Sequence, residues 1–535
     1  MHQSLYAVTV LALCVVLCIV FVKYWAAKDS DVHRLPGPSP SIASWLWGHE
    51  LLVFQHAAAQ MHSIWARSFG GMYKIKGALF HPDIIIATDH AAVHHIFANS
   101  DLYVKSPVFR PLVMNILGKG VVWAEGEDWH QQRKILSPAF SLESVKEMVP
   151  AIYECAERLE RNLTNLILDS SSKDGKTLNI VHYISACTLE IIGMVGLSHS
   201  FSAQSTESNP DSDAAQIHAS WEDLVDMGLR PLAFLAPLIV RAIPALTWAP
   251  LPLPHSQGAV KRIVDRIGQK IIDRERGELK GKHANQEGAA PTSDSRDIIS
   301  LLLRAKQPGN DAHGALTDTQ ILDNITTSIV AGHETTATTL TFTLWELARQ
   351  PAIQDRLRAE VLSHGRDLSY DNIQKLEFLD AIVKEGLRLH PASSQTERVP
   401  LQDDLIPLST PVDGIGATLR IKKGQVIHIS FLSLNTSPHA WGPTASVFNP
   451  SRWLEESDLA NRPHGWSGLL SFCDGPRNCI GWRLAVLEMK IILATLIRSI
   501  VFLDTGVVVE EKLSPGLQSI VGGKGRVLPL LLKAV

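Results

Sequence analysis

Phe472-Cys473-Asp474-Gly475-Pro476-Arg477-Asn478-Cys479-Ile480-Gly481 is the stretch on which the reading of this chain turns. An amphipathic pattern follows at once and predicts a helix over Trp482 to Ile500. Gly475 permits a tight turn, and Gly481 leaves room for another group to approach the backbone. Cys479 therefore stands just before a helix N-terminus, where the dipole and free N–H groups favour a thiolate. A thiolate in that position suits metal ligation. Zinc through Cys473 and Cys479 is a poor fit, because the spacing is wrong and no histidine or cysteine pair lies close by. The plain alternative is a buried, inert cysteine.

Working outward, a second segment carries chemistry-bearing residues. Thr317-Asp318-Thr319-Gln320 forms a capping box, and periodic apolar residues run on to Arg349 before Pro351 stops the helix. Such a helix is about 50 Å long, enough to cross a whole domain. Its middle, Ala331-Gly332-His333-Glu334-Thr335-Thr336-Ala337-Thr338-Thr339, is rich in poor helix formers. One reading has each hydroxyl bonded to the carbonyl one turn back and Glu334 facing water. The other has Gly332 thinning or bending the helix to admit a ligand, with Glu334 and Thr335 as a proton-carrying spot. Short strands are predicted at Gly71 to Lys76, Asp83 to Ala87 and Gln425 to Ile429, giving a mainly α fold with small β-sheets.

Composition narrows the class. Hydrophobic residues make up 45% and charged residues 19%, which excludes a disordered chain. Fifty basic against 54 acidic side chains give a net charge of −4, so bulk charge offers no support for nucleic-acid binding. Six cysteines in this length are not a disulfide framework, which fits a reducing compartment. Leu5 to Val22 (LYAVTVLALCVVLCIVFV) carries no charge and reaches the length that spans a bilayer. Lys23, Lys28 and Arg34 follow it, which places the body on the cytosolic side. A cleaved signal peptide is the competing reading, but its basic residues would precede the apolar run. Arg34-Leu35-Pro36-Gly37-Pro38 reads as a hinge, and the apolar, proline-rich Pro231 to Pro254 reads as a buried connection or a membrane-touching segment.

The order Phe-x-x-Gly-x-Arg-x-Cys-x-Gly resembles the haem-binding loop of cytochrome P-450 enzymes at every defined position. Further segments in the same chain order resemble that family. Ala331-Gly332 with Glu334-Thr335-Thr336 looks like its oxygen-activation segment, and Glu385 with Arg388 like its Glu-x-x-Arg pair. Arg452, in Phe448-Asn449-Pro450-Ser451-Arg452-Trp453, looks like the arginine that completes that pair as a structural triad. The resemblance implies a cytochrome P-450 fold, with residues 1–33 as anchor and hinge and 34–535 as catalytic domain. It implies haem b with Cys479 as the iron's thiolate ligand, which favours O–O cleavage. Trp129, Arg133, Arg398 and Arg477 would hold the propionates, since arginine binds carboxylates in bidentate fashion. Phe472 would keep the sulfur dry, while Glu334 and Thr335 would relay protons on the distal side.

Partners follow from the same resemblance. No flavin or dinucleotide motif is present, so electrons would come from NADPH through a separate reductase in the endoplasmic reticulum membrane. Cytochrome b5 is a further candidate donor. Lys134, Arg477, Arg483 and Lys490 could form the docking face, or a solvated surface. The family places pocket walls at Tyr103 to Val121, near Ile329 and Val330, at Ala392 to Thr396 and at Leu517 to Val521. Those segments are mostly apolar, which suits a lipophilic substrate, with fungal terpenoid-like secondary metabolites as the leading class. The rival readings are a haem-thiolate isomerase or dehydratase and a non-catalytic haem protein that binds a ligand.

Overall fold

The computed structural model describes residues 30–535 apart from 80, 170–173, 206–208, 243–256, 285–295, 306–315, 366–368 and 456–461. The anchor expected over Leu5 to Val22 lies outside the described residues, as does the end of the Pro231 to Pro254 segment. Among the described residues, one helix, Ile180–Leu197, is long and apolar enough to cross a membrane. It is 78% buried within the protein and is a core helix.

The central helix runs Asp318–Arg349 without a break. Its N-terminus carries the expected box: Thr317 accepts from the Gln320 backbone N–H, and the Gln320 side chain accepts from the Thr317 N–H. Helices Ile180–Leu197, Glu377–Leu389 and Trp482–Ser499 pack against it, and this bundle holds the largest apolar core.

A five-stranded sheet lies beside the bundle. The three predicted strands are its Met72–Ile75, Ile84–Ala87 and Ile427–Ser430, in adjacent positions. The last two pair in parallel, Ile86 opposite His428, joining residues far apart in sequence. Gln395–Pro400 and Tyr103–Lys105 complete the sheet, and neither was legible as a strand beforehand. Their register sets Lys105 directly opposite Arg398. A smaller sheet near the C-terminus contains Glu510–Leu513, Leu517–Val521 and Lys524–Gly525.

Candidate active site

The cysteine loop is closed by one backbone bond, from the Cys479 N–H to the Phe472 carbonyl at 2.8 Å. Gly475 holds φ +68, and a Cβ there would stand 2.3 Å from the Phe97 carbonyl oxygen, so only glycine fits. Arg133 clamps the loop through both terminal nitrogens, to the Asn478 carbonyl at 2.7 Å and its Oδ1 at 2.9 Å. Phe472 is buried and stands edge-on to Trp466, ring centroids 5.4 Å apart.

Cys479 keeps an accessible surface although protein surrounds it closely. Burial pushes its acidity the wrong way for a thiolate, and the Gly481 N–H and Arg133 oppose that only in part. Without a metal at the sulfur, desolvation outweighs both. A metal cation at the sulfur would restore the thiolate.

Beside the loop, two cations pair with one carboxylate and a third lines the same cleft. Arg477 donates to the Ala124 carbonyl at 2.7 Å, pairs with Glu125, and lies 4.4 Å over the Trp129 ring. Lys105 Nζ meets Glu125 at 3.1 Å. Arg398 is buried and bonded to Thr396 Oγ1 at 2.5 Å and the Glu397 carbonyl at 2.9 Å, both neutral groups. Burial pulls Lys105 down to about 8, with Arg477 and Arg398 adding to the pull against Glu125. Arg477 Nε is buried without a hydrogen-bond partner among the described residues. These side chains border a small cleft with Phe97 and Tyr103. Lys105, Arg398 and Arg477 against Glu125 leave an excess of two positive charges. Two carboxylates of a flat group lying against Cys479 would neutralise it, so the residues present fit haem. Lys105 and Glu125 were missed as site residues. The available signal was a lysine two positions from Tyr103 in a short β-rich stretch, placing both on one face.

On the central helix, every residue from Asp323 to Leu344 is buried except Ser328, Ala331, Gly332, Thr335 and Thr338. Ser328, Ala331, Thr335 and Thr338 recur at helical spacing and form one accessible stripe, with Thr335 the most open. Ile329 and Val330, read as pocket wall, are instead packed into the core. Thr335 Oγ1 donates back to the Ala331 carbonyl at 2.8 Å. The helix continues unbroken through Gly332. A Cβ there would meet Ile192 Cγ1 at 2.7 Å, so this glycine lets two core helices approach.

Glu334 does not face water. It is buried, paired with Arg526, accepts from Ser185 Oγ at 2.9 Å, and lies 3.0 Å from His333 Nε2. Burial alone would raise its pKa, but the Arg526 guanidinium and His333 hold the carboxyl well below the usual range. Ligand atoms of His218, His333 and Glu334 lie within 4.8 Å of one another, a spacing that would suit a metal ion. The guanidinium already on Glu334 argues against one, because a cation would sit against a fixed positive charge. Of the basic residues read as a docking face, Lys134 and Arg483 are exposed. Lys490 is buried on Asp380 at 2.7 Å, and Arg477 belongs to the cationic cleft.

The loop, the cationic cleft and the central helix together agree with the comparisons. The Cytochrome P-450 family model matches residues 36–520, and the chain belongs to that family. It is a cytochrome P-450 monooxygenase, and the family implies a haem-thiolate iron cofactor. It is 31% identical to Cytochrome P-450 monooxygenase 205 of Postia placenta, over 98% of this chain and 97% of that one. Monooxygenase 128 of the same fungus is 32% identical, covering 90% of this chain and 88% of its own. Monooxygenase claU of Ampulloclitocybe clavipes is 28% identical over 95% and 94%.

Proposed function

We propose that this chain is a membrane-anchored monooxygenase that hydroxylates a lipophilic small molecule, with electrons passed from NADPH by a separate flavoprotein reductase at the endoplasmic reticulum. One oxygen atom of O2 enters the substrate as hydroxyl and the other leaves as water, using two electrons and two protons. The observation that carries the reading is the two-charge cationic excess, to which Arg477 of the cysteine loop itself contributes, together with an accessible Cys479 two residues on. Haem b, when bound, supplies the oxygen chemistry itself. Cys479 would ligate its iron, Arg398, Arg477 and Lys105 would take its carboxylates, and Trp129 stacks beneath Arg477 to hold that fork in place. Arg133 acts through Asn478, fixing the loop that carries the thiol.

Thr335 is the most open hydroxyl on the accessible stripe and the group we assign to proton transfer at the substrate side, with Glu334 as its acidic neighbour. The stripe itself is small and weakly polar, and Ser394 adds a buried hydroxyl with no partner among the described residues. A lipophilic substrate with one oxygenated anchor fits these groups, and we place it among fungal terpenoid-like secondary metabolites. Membrane contact is supported by Trp45, 82% exposed, and Ile42, 50% exposed. Nearby, Phe234 of helix Pro231–Ala242 packs on Trp47 and Phe54, and Ile239 of that helix is exposed.

The test is the carbon monoxide difference spectrum of the reduced protein in membranes, followed by turnover with NADPH and reductase. A strongly red-shifted Soret band with a hydroxylated product is the expected result. Haem without that band means another axial ligand, and the band without oxygenated product means the isomerase or binding reading. Thr335→Ala is expected to keep consuming NADPH while hydrogen peroxide replaces product, lowering product per NADPH by roughly tenfold or more. Unchanged coupling removes Thr335 from proton transfer.

A further inference from the structure

The cluster around Glu334 draws on four separate elements and is closed to solvent. Glu334 and His333 come from the central helix, Ser185 from Ile180–Leu197, His218 from Asp213–Gly228, and Arg526 from the residue after strand Lys524–Gly525. Ser185 and His333 are fully buried, and His218, Glu334 and Arg526 are at most 7% exposed. Arg526 holds φ +59, a left-handed conformation that a non-glycine residue adopts only when its surroundings impose it. Asn179 fixes that turn, its Nδ2 donating to the Arg526 carbonyl at 2.9 Å and its Oδ1 accepting from the Leu528 N–H at 2.9 Å.

Buried ion pairs are not an economical source of stability, since apolar packing of equal volume does as well. The contacts here instead line up in one direction. His182 is exposed, and its ring centroid lies 6.0 Å from that of His218. His218 Nδ1 lies 3.4 Å from Ser185 Oγ, which donates to Glu334 Oε1 at 2.9 Å. Arg526 Nη2 donates to the same hydroxyl at 3.1 Å, while its Nη1 pairs with the other carboxylate oxygen. The next residue after Glu334 is Thr335, at the accessible stripe.

We propose that His182, His218 and Ser185 are the proton entry route to Glu334, and that Arg526 is the positioning residue that keeps Glu334 an ionised acceptor aimed at Ser185. The inference rests on the monooxygenase reading, which consumes two protons per turnover. In the transfer, His218 takes a proton at Nε2 and releases one from Nδ1 to Ser185 Oγ. Ser185 passes its own hydrogen to Glu334 Oε1, so one proton moves inward and no other bond changes. The protonation states suit this. Burial, with His333 alongside, pulls His218 down to about 3, leaving it a neutral imidazole able to accept at one nitrogen and release at the other. Glu334 is ionised at rest and able to receive.

The test uses the haem-loaded enzyme and four variants: Ser185→Ala, His218→Gln, Arg526→Gln and Arg526→Lys. All are first checked for the carbon monoxide band, which reports thiolate-bound haem independently of proton entry. Ser185→Ala and His218→Gln are expected to keep that band and substrate binding, lose about tenfold in product per NADPH, and show a larger solvent deuterium isotope effect. An infrared spectrum at neutral pH supplies a readout that needs no turnover. Arg526→Gln is expected to gain one protonated-carboxyl stretch over the wild-type spectrum, abolished by adding Glu334→Gln, while Arg526→Lys shows no gain. Wild-type coupling and isotope effect in both Ser185→Ala and His218→Gln would overturn the route and leave the cluster a structural strap. An unchanged spectrum in Arg526→Gln would overturn the positioning role. Absence of product from wild-type enzyme would strike the monooxygenase reading instead, and the infrared result would still decide the role of Arg526.

Discussion

Arg388→Ala is expected to yield folded protein with little or no haem, at a stability cost on the order of 3–5 kcal/mol. Arg388 and Glu385 are both fully buried and joined by two bonds, Nε to Oε2 at 2.9 Å and Nη2 to Oε1 at 2.8 Å. Arg452 Nε and Trp453 Nε1 also donate to Glu385, at 3.0 and 2.9 Å, which completes the expected triad and adds a tryptophan to it. The Arg388 guanidinium also donates to the carbonyls of Asn435 at 2.9 Å, Ala445 at 2.5 Å and Val447 at 3.2 Å. Alanine leaves these acceptors unpaired in the interior and strips Glu385 of its closest countercharge. The damage reaches the cysteine loop in two steps. Asn435 holds the Leu470 N–H at 3.0 Å and the Ser471 hydroxyl at 2.9 Å, just ahead of Phe472. Lysine is expected to rescue little, because a point charge cannot span both carboxylate oxygens and the carbonyls together. Haem per folded protein, read from the Soret absorbance against circular dichroism, is the measurement. Normal haem content in Arg388→Ala would show that the triad does not support the loop.

The second large effect is a loss of stability in mild alkali, traced to His390. This imidazole is buried between Glu346 Oε1 at 3.3 Å and Glu511 Oε1 at 3.4 Å, and stacks on Phe342 with centroids 4.8 Å apart. Burial alone would lower its pKa, but Glu511 and Glu346 overcome that and raise it to about 9. A pKa raised above the unfolded value of about 6.5 stabilises the fold fully below that value, and the contribution is lost as pH climbs through 9. The difference corresponds to about 3 kcal/mol. Because Glu511 lies on strand Glu510–Leu513, the loss releases the C-terminal sheet from the central helix, which carries Glu346. Denaturant unfolding of wild type and His390→Gln at pH 6.5 and pH 10 checks this. The wild type's advantage is expected to shrink by most of its value at the higher pH. An advantage independent of pH would mean that His390 stabilises by packing alone.

Much of this molecule is legible one segment at a time. Thr317 and Gln320 announce the start of the central helix, Pro351 its end, and Gly475 the turn that presents Cys479. These signals are local, since a cap, a turn and a helical period each depend on residues within a few positions. Among the strands not predicted are Tyr103–Lys105 and Gln395–Pro400, where charges interrupt the alternation. Those charges, Lys105 and Arg398, face each other across the two strands and line the cationic cleft.

Orientation within an element was the harder matter. Glu334 and Thr335 are adjacent, yet a step of about 100° around the helix sends one to an ion pair and the other to the accessible stripe. The same rotation buries Ile329 and Val330 and puts Gly332 against Ile192. Lys490, basic and close to Cys479 in sequence, is spent on Asp380. Arg526 stands 192 positions from Glu334, so nothing local in the chain could have paired them. The ligand loop, the cap and the chain order of the motifs thus follow from covalent neighbours. The pairing of buried charges follows from packing, because an uncompensated charge in the interior must find its partner wherever the fold brings one within reach.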